Sequence, residues 1–493
     1  MDNKDYRLSV PYINQSTVTE CGDEVTLPDY YPEVKRVVST LCRVLPESLY
    51  DNGETAEQGG VVAFTVLYLG DDGSLAAFPV TCDFSVAVQL PKGGENSTYS
   101  FDTSAENVTC RATGPRRLSL KARLRTCITG EKTADCMPIV TDSDGGSATT
   151  EEKISVQSFE VTHPSMRRAT GRITGTVSGE IKENPGTKPV LCDGEILINE
   201  AVAKDGGVTL RGEAVLWCIC FGNGLYYKTS MGAKIEEHIP AVGDFANADA
   251  AGFGRCASVT VKDSGDGTLL WDMEYDLECM AAENVSTTAV QDMYSTMWQS
   301  KTTEDEVQSV SLLKCGNGRL SLSGSGGRSG NINPGDYVIG AFGKATCDRV
   351  DKNGTRLTIS GTAEVRVPVC GGGEAVEECV RLPFKYECDC PAGEDGEIVW
   401  QCDVSVVSAD AQLDGGTIRV TAELSFGIFA AVKIPVRFVS GLELMRDGDD
   451  AETDCTVRMY YPAEGETAWD IAKKYRIPKN AVAEVSEGGV LIE

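Results

Sequence analysis

Val61-Val62-Ala63-Phe64-Thr65-Val66-Leu67-Tyr68-Leu69-Gly70-Asp71-Asp72-Gly73 reads as a strand that runs into a glycine turn. Its leading apolar and β-branched residues suit a pleated surface, and Gly70, Asp72 and Gly73 are residue types that serve a tight hairpin. Leu210 to Gly224 has the same form, ending Cys218-Ile219-Cys220-Phe221-Gly222-Asn223-Gly224, and so does Ile359 to Gly373, ending Val369-Cys370-Gly371-Gly372-Gly373. The closing glycines stand 151 residues apart (224 − 73) and 149 apart (373 − 224).

A second marker keeps this period. Leu118, Leu269 and Ile418 each open a further strand, 45 residues beyond the glycine of their own unit (118 − 73, 269 − 224, 418 − 373). In the first unit Leu118, Leu120, Ala122 and Leu124 alternate with Ser119, Lys121, Arg123 and Arg125, the period of two that marks a half-buried strand. Matching offsets with little residue identity predict one β-domain present three times and since diverged, each copy long enough to hold its own core. The expected class is mainly β, with three tandem β-sandwich-like repeats over residues 1–145, 151–300 and 304–445, followed by a small β-α-α-β module.

Composition bounds the function. Hydrophobic residues make up 41% of the 493-residue chain, enough for several folded domains. No run of 18 uninterrupted apolar residues occurs, and Met1-Asp2-Asn3-Lys4-Asp5 does not open a secretory signal, so a cytoplasmic protein without a transmembrane segment is expected. The 74 acidic residues against 45 basic ones leave a net charge of −29, which opposes binding to nucleic acid or anionic lipid.

Nineteen cysteines with no export signal are read mainly as reduced, buried thiols. Cys218-x-Cys220 and Cys388-x-Cys390 each place two sulfurs on one strand face. There is no Cys-x2-Cys pair, and the two histidines, His163 and His238, lie far from both pairs in sequence, so no metal or other cofactor is expected. No nucleophile and base are recognisable, and a catalytic reading is the weakest of those weighed.

Between and inside the repeats, four stretches are read as connectors. Thr141 to Ser147 is small and acidic and reads as a linker, as does Arg446 to Asp454, which should free whatever follows it. Val290, Met293, Met297 and Trp298 recur at helical spacing and predict a short amphipathic helix over residues 288–298. Gly324 to Gly330 lacks the Gly-Lys-Ser/Thr ending of a phosphate cradle and reads as a flexible surface loop.

Residues 455–493 form the terminal module. A strand leads to Gly465-Glu466-Thr467, where Thr467 can cap a helix whose Ala468, Ile471, Ala472 and Tyr475 make one apolar stripe. A second short helix is expected after Pro478, and Val490-Leu491-Ile492 closes as a strand. Gly465-Glu466-Thr467-Ala468-Trp469-Asp470-Ile471-Ala472 resembles the turn-then-helix pattern of LysM modules. Thr26 to Val34, Leu67 to Gly73 and Asp292-Met293-Tyr294-Ser295 resemble SPOCS domains, and the pairing of the two is similar to the coat morphogenetic proteins of clostridia.

That resemblance implies a non-enzymatic scaffold made in the mother cell, located at the forespore surface or spore coat, whose LysM-like module engages the coat-basement ATPase of sporulation or other coat proteins. LysM modules that hold N-acetylglucosamine chains bind through two loops, which here correspond to Gly465, Glu466, Thr467, Ala468 and Trp469 and to Ser486, Glu487 and Gly488. The second loop is short, and Glu464, Glu466 and Glu487 make the surface acidic, so protein docking is preferred and peptidoglycan is the alternative. Glu466 is read as a rim charge whose reversal leaves the fold intact. Trp469 reads equally well as a contact and as core.

Overall fold

The computed structural model describes residues 6–93, 97–142, 156–204, 206–240, 248–327, 335–393, 396–445, 458–484 and 490–492. The first repeat consists of β1 (Arg7–Thr26), β2 (Val34–Asp51), β3 (Thr55–Gly70), β4 (Leu75–Gln89), β5 (Ser97–Gly114) and β6 (Arg117–Asp135), followed by the short β7 (Ile139–Asp142). They make two antiparallel sheets of order β2-β3-β4 and β1-β6-β5. The second repeat has β8 (Val156–Lys182), β9 (Lys188–Lys204), β10 (Gly207–Gly222), β11 (Leu225–Pro240), β12 (Asp249–Asp263) and β13 (Thr268–Ser295), in sheets β9-β10-β11 and β8-β13-β12.

The third repeat has β14 (Gln299–Gly327), β15 (Tyr337–Val338), β16 (Phe342–Asn353), β17 (Arg356–Gly371), β18 (Glu374–Asp389), β19 (Ile398–Asp414) and β20 (Thr417–Met445). Its sheets are β16-β17-β18, with β15 beside β17, and β14-β20-β19. The three glycine-ended stretches are therefore the central strands β3, β10 and β17. The three later markers open the central strands β6, β13 and β20.

The turns follow from the residues at their tips. Asn223 and Gly224 both have positive φ (53° and 81°), as do Gly372 and Gly373 (60° and 78°), the backbone of a type I′ hairpin that matches strand twist. In the first repeat the turn is longer, and the Asp72 carboxylate accepts the Ser74 N–H at 2.9 Å.

Each repeat encloses a core between its two sheets: Phe64, Tyr68, Val86 and Leu124 in the first, Leu216, Trp271 and Leu277 in the second, Val365, Phe384 and Phe426 in the third. The repeats are nonetheless not separate beads. Leu67, Leu69 and Leu75 of the first meet Trp217 and Ile219 of the second and Ile339, Phe342 and Ala375 of the third in one shared cluster. The near-continuous apolar runs of β3 and β10 are the signature of strands buried on both faces.

Polar groups close the arrangement in cyclic order. Arg43 of the first repeat donates to the Cys256 carbonyl of the second at 2.9 Å and pairs with Asp193. Lys228 of the second donates to the Ala341 and Ala409 carbonyls of the third at 2.6 and 3.1 Å. Arg366 and Lys344 of the third donate to the Thr40 and Glu106 carbonyls of the first at 2.7 and 3.5 Å. A β-bulge recurs at Ala105/Asn107, Cys256/Ser258 and Val406/Ser408, keeping the sequence period, and Cys256 and Glu106 supply two of these carbonyls from it.

Several expectations are corrected. Residues 288–295 are not helical: β13 runs to Ser295 against β8, because Val290, Asp292 and Tyr294 find strand partners at Glu160, Phe159 and Gln157. Met297, which the helical stripe would bury, is 63% exposed. Gly324 to Gly327 end β14 and pair with Thr417 to Val420, so that stretch is sheet and not loop, while residues 328–330 lie outside the described residues. Thr141 and Asp142 belong to β7, which pairs in parallel with Leu442 to Leu444 of the third repeat, and residues 143–147 lie outside the described residues. β14 begins at Gln299, ahead of the boundary expected at 304.

Sixteen cysteines are free among the described residues, and Cys192 and Cys218 form a disulfide between directly paired residues of β9 and β10. Cys218 and Cys220 both face the second core. No group of three or more His, Cys, Asp or Glu that could hold a metal occurs among the described residues. No helix among them is long and apolar enough to cross a membrane.

Candidate functional site

The terminal module is built from β21 (Arg458–Tyr460), α1 (Ala468–Tyr475), a single 3-10 turn at Lys479–Ala481, β22 (Val482–Glu484) and β23 (Val490–Ile492). The turn stands where the second helix is expected. β22 adds a strand the sequence did not suggest, and the sheet has the order β21-β23-β22. Ile471 of α1 packs on Val490 and Ile492, a core of few residues for so small a unit.

Gly465, at φ +85°, makes the turn before α1, where a side chain would be strained. Thr467 and Asp470 form a capping box. The Thr467 hydroxyl accepts from the Asp470 N–H at 3.3 Å, and the Asp470 carboxylate accepts from the Thr467 N–H at 2.8 Å. Gly465, Thr467 and Ala468 are exposed.

Glu466 is not a free rim charge. Its carboxylate accepts the Ala463 N–H at 2.9 Å and the Tyr460 hydroxyl at 2.8 Å. These bonds, the Ala463 one foremost, hold the carboxyl below its usual range, so Glu466 pins the strand to the turn and its reversal is not neutral to the fold.

Trp469 is 8% exposed and combines a core role with a contact to the second repeat: it packs with Ala472, Ile477 and Val482 of the module and with Tyr294 of β13. Its indole N–H donates to the Asp292 carboxylate at 2.8 Å, its ring meets Tyr294 edge-on at 5.0 Å, and Phe159 lies 5.7 Å away. Lys473 also reaches Asp292, at 2.7 Å, and the Tyr294 hydroxyl donates to the Ile477 carbonyl at 2.7 Å. The module is therefore seated on the end of β13 and not freed from the repeats, even though residues 446–454 lie outside the described residues.

Ser486, Glu487 and Gly488 lie outside the described residues. The structure brings Trp469 to Asp292, Tyr294 and Phe159, a site that sequence reasoning missed. The only signal was Asp292-Met293-Tyr294-Ser295, which was read as helix. Elsewhere in the module Met459 and Tyr461 are 56% and 68% exposed, and the Tyr461 hydroxyl lies 3.5 Å from the Met459 sulfur. No protein-family model, curated protein or solved structure matches this chain.

Proposed function

We propose that this protein is a non-enzymatic scaffold of spore coat or spore envelope assembly, acting at the forespore surface and docking a coat-basement protein, such as the coat ATPase of sporulation, through its C-terminal module. The observation that carries the reading is the module itself: it is seated on the second repeat through Trp469 and presents Met459 and Tyr461 to solvent. Exposed Met and Tyr side chains combine apolar area with adaptability and are favoured at protein contacts. Supporting it, the buried cations between the repeats donate to backbone carbonyls of neighbouring repeats, an arrangement suited to rigidity.

The alternative is a peptidoglycan-binding protein of the cortex or envelope, in which the Gly465 to Thr467 turn contacts N-acetylglucosamine chains. A single experiment separates them. Full-length protein and the Tyr461→Ala/Met459→Ala variant are tested for capture of the purified coat ATPase and for co-sedimentation with purified peptidoglycan. Capture lost in the variant, with no co-sedimentation, supports the scaffold. Co-sedimentation at micromolar concentration without capture replaces it with the alternative.

A further inference from the structure

A partly enclosed space lies where the three repeats meet. It is a cavity of about 130 Å³ whose wall includes Arg43, Lys228, Lys344 and Arg366 against two carboxylates, Asp193 and Glu195. Counted the same way, a single water needs roughly 10–15 Å³, so a small polyatomic ion fits with its water and a peptide segment does not. The lining carries an excess of two positive charges (4 − 2) inside a protein whose net charge is −29.

The cations are not alike. Arg43 is compensated by Asp193 and Glu195, which sit within ion-pair distance of it. Lys228, Lys344 and Arg366 donate only to neutral carbonyls, and among the described residues none forms an ion pair. Asp410 near Lys228 and Glu377 near Arg366 act on them from beyond that distance. A Lys has three donors and an Arg five, so each keeps N–H groups that the carbonyls do not take. Trp217 and Phe342, stacked at 4.9 Å, wall one side with apolar surface, which lowers the local dielectric and strengthens charge interactions inside.

We propose that this cavity binds one compact, multivalent oxyanion of the phosphate type, held jointly by Lys228 of the second repeat and by Lys344 and Arg366 of the third. Such an anion neutralises three cations that the fold gathers without carboxylate partners. It also ties the second repeat to the third beside their shared apolar cluster.

The test uses the full-length protein and inorganic phosphate, dialysed to equilibrium at constant pH and at ionic strength matched with sodium chloride. Calorimetry is expected to give one site per chain, and the melting temperature is expected to rise with phosphate over the chloride control. Lys344→Gln and Arg366→Gln should each weaken binding at least tenfold, whereas Arg419→Gln, whose exposed side chain pairs with Asp414 and does not line the cavity, should not. No saturable binding, or binding unchanged in both cavity variants, overturns the proposal. Should the glutamine variants fail to fold, Lys344→Arg, which keeps the charge, and anomalous scattering from crystals grown with arsenate decide: an occupied cavity supports the proposal and an empty one overturns it.

Discussion

The indole N–H of Trp469 donates to the carboxylate of Asp292 at 2.8 Å across 177 residues of sequence, and the same carboxylate receives Lys473. One aspartate thus holds the terminal module to the end of β13. Asp292→Ala removes both bonds while leaving the module's own core in place. A hydrogen bond to a charged group contributes about 1.5–3 kcal/mol. Amide exchange in α1 is expected to quicken roughly tenfold or more, measured by mass spectrometry, with exchange in β3, β10 and β17 unchanged.

Arg43 ties the first repeat to the second from a largely buried position. Arg43→Ala strips Asp193 and Glu195 of their cation and leaves two buried carboxylates uncompensated. Removing one partner of a buried pair costs about 3–5 kcal/mol. Urea denaturation should show a loss of unfolding free energy of that size, against little change for the exposed pair broken by Arg419→Ala.

Stability should fall as pH rises from about 5 to 8. Burial pushes the Glu195 carboxyl up to about 7, with Arg43 opposing and Asp193 and Asp403 adding to the rise. Burial likewise pushes Asp403 up to about 6, with Arg255 opposing and Asp102 and Glu278 adding. A carboxyl whose pKa is raised on folding binds more protons folded than unfolded, so its contribution is present at low pH and is lost as pH climbs through the folded value. The slope is at most about 1.4 kcal/mol per pH unit for each group. Glu195→Gln with Asp403→Asn should flatten the dependence of melting temperature on pH over this window.

Native alkylation should find Cys379 first. It is exposed, whereas Cys315 is buried and its thiol is pushed up to about 12 by that burial. Partial burial also raises the Cys379 thiol, so the reaction is best followed near pH 9. Mass spectrometry should show Cys379 labelled in the folded protein and Cys315 labelled only after denaturation.

Glu466→Lys tests the corrected role of the turn. The carboxylate holds the Ala463 N–H and the Tyr460 hydroxyl, so reversal should loosen β21 and raise amide exchange there, and Glu466→Gln should restore most of the protection.

The three-fold period, the central strands and the Thr467 helix cap were legible because each is encoded within a short span. Alternation in Leu118 to Leu124 states which face is buried, and Asn223-Gly224 states the turn. Residues 288–298 misled for the opposite reason. Val290, Met293 and Met297 fit a helical stripe by spacing alone, and what overrides it is β8, whose Phe159 and Glu160 lie about 130 residues earlier and pair with β13 across a bulge at Val290/Asp292. The terminal module was read correctly in its turn and first helix and incorrectly in its freedom, because an acidic linker reports on its own solvation and not on what Trp469 meets.

By itself, then, the sequence determined a chain of mainly β structure, its repeat, its hairpin tips and the start of its one helix, since periodicity and turn chemistry act between near neighbours. Tertiary structure alone decided that the repeats close on one another, that Arg43, Lys228, Lys344 and Arg366 converge on one cavity, and that Trp469 rests on Asp292. Those contacts join residues 151 to 326 positions apart in the case of Arg43 with Gly194 and of Arg366 with Thr40. No local pattern records such a pairing, because its energy depends on the shape and charge of a surface that exists only after the other repeats have folded.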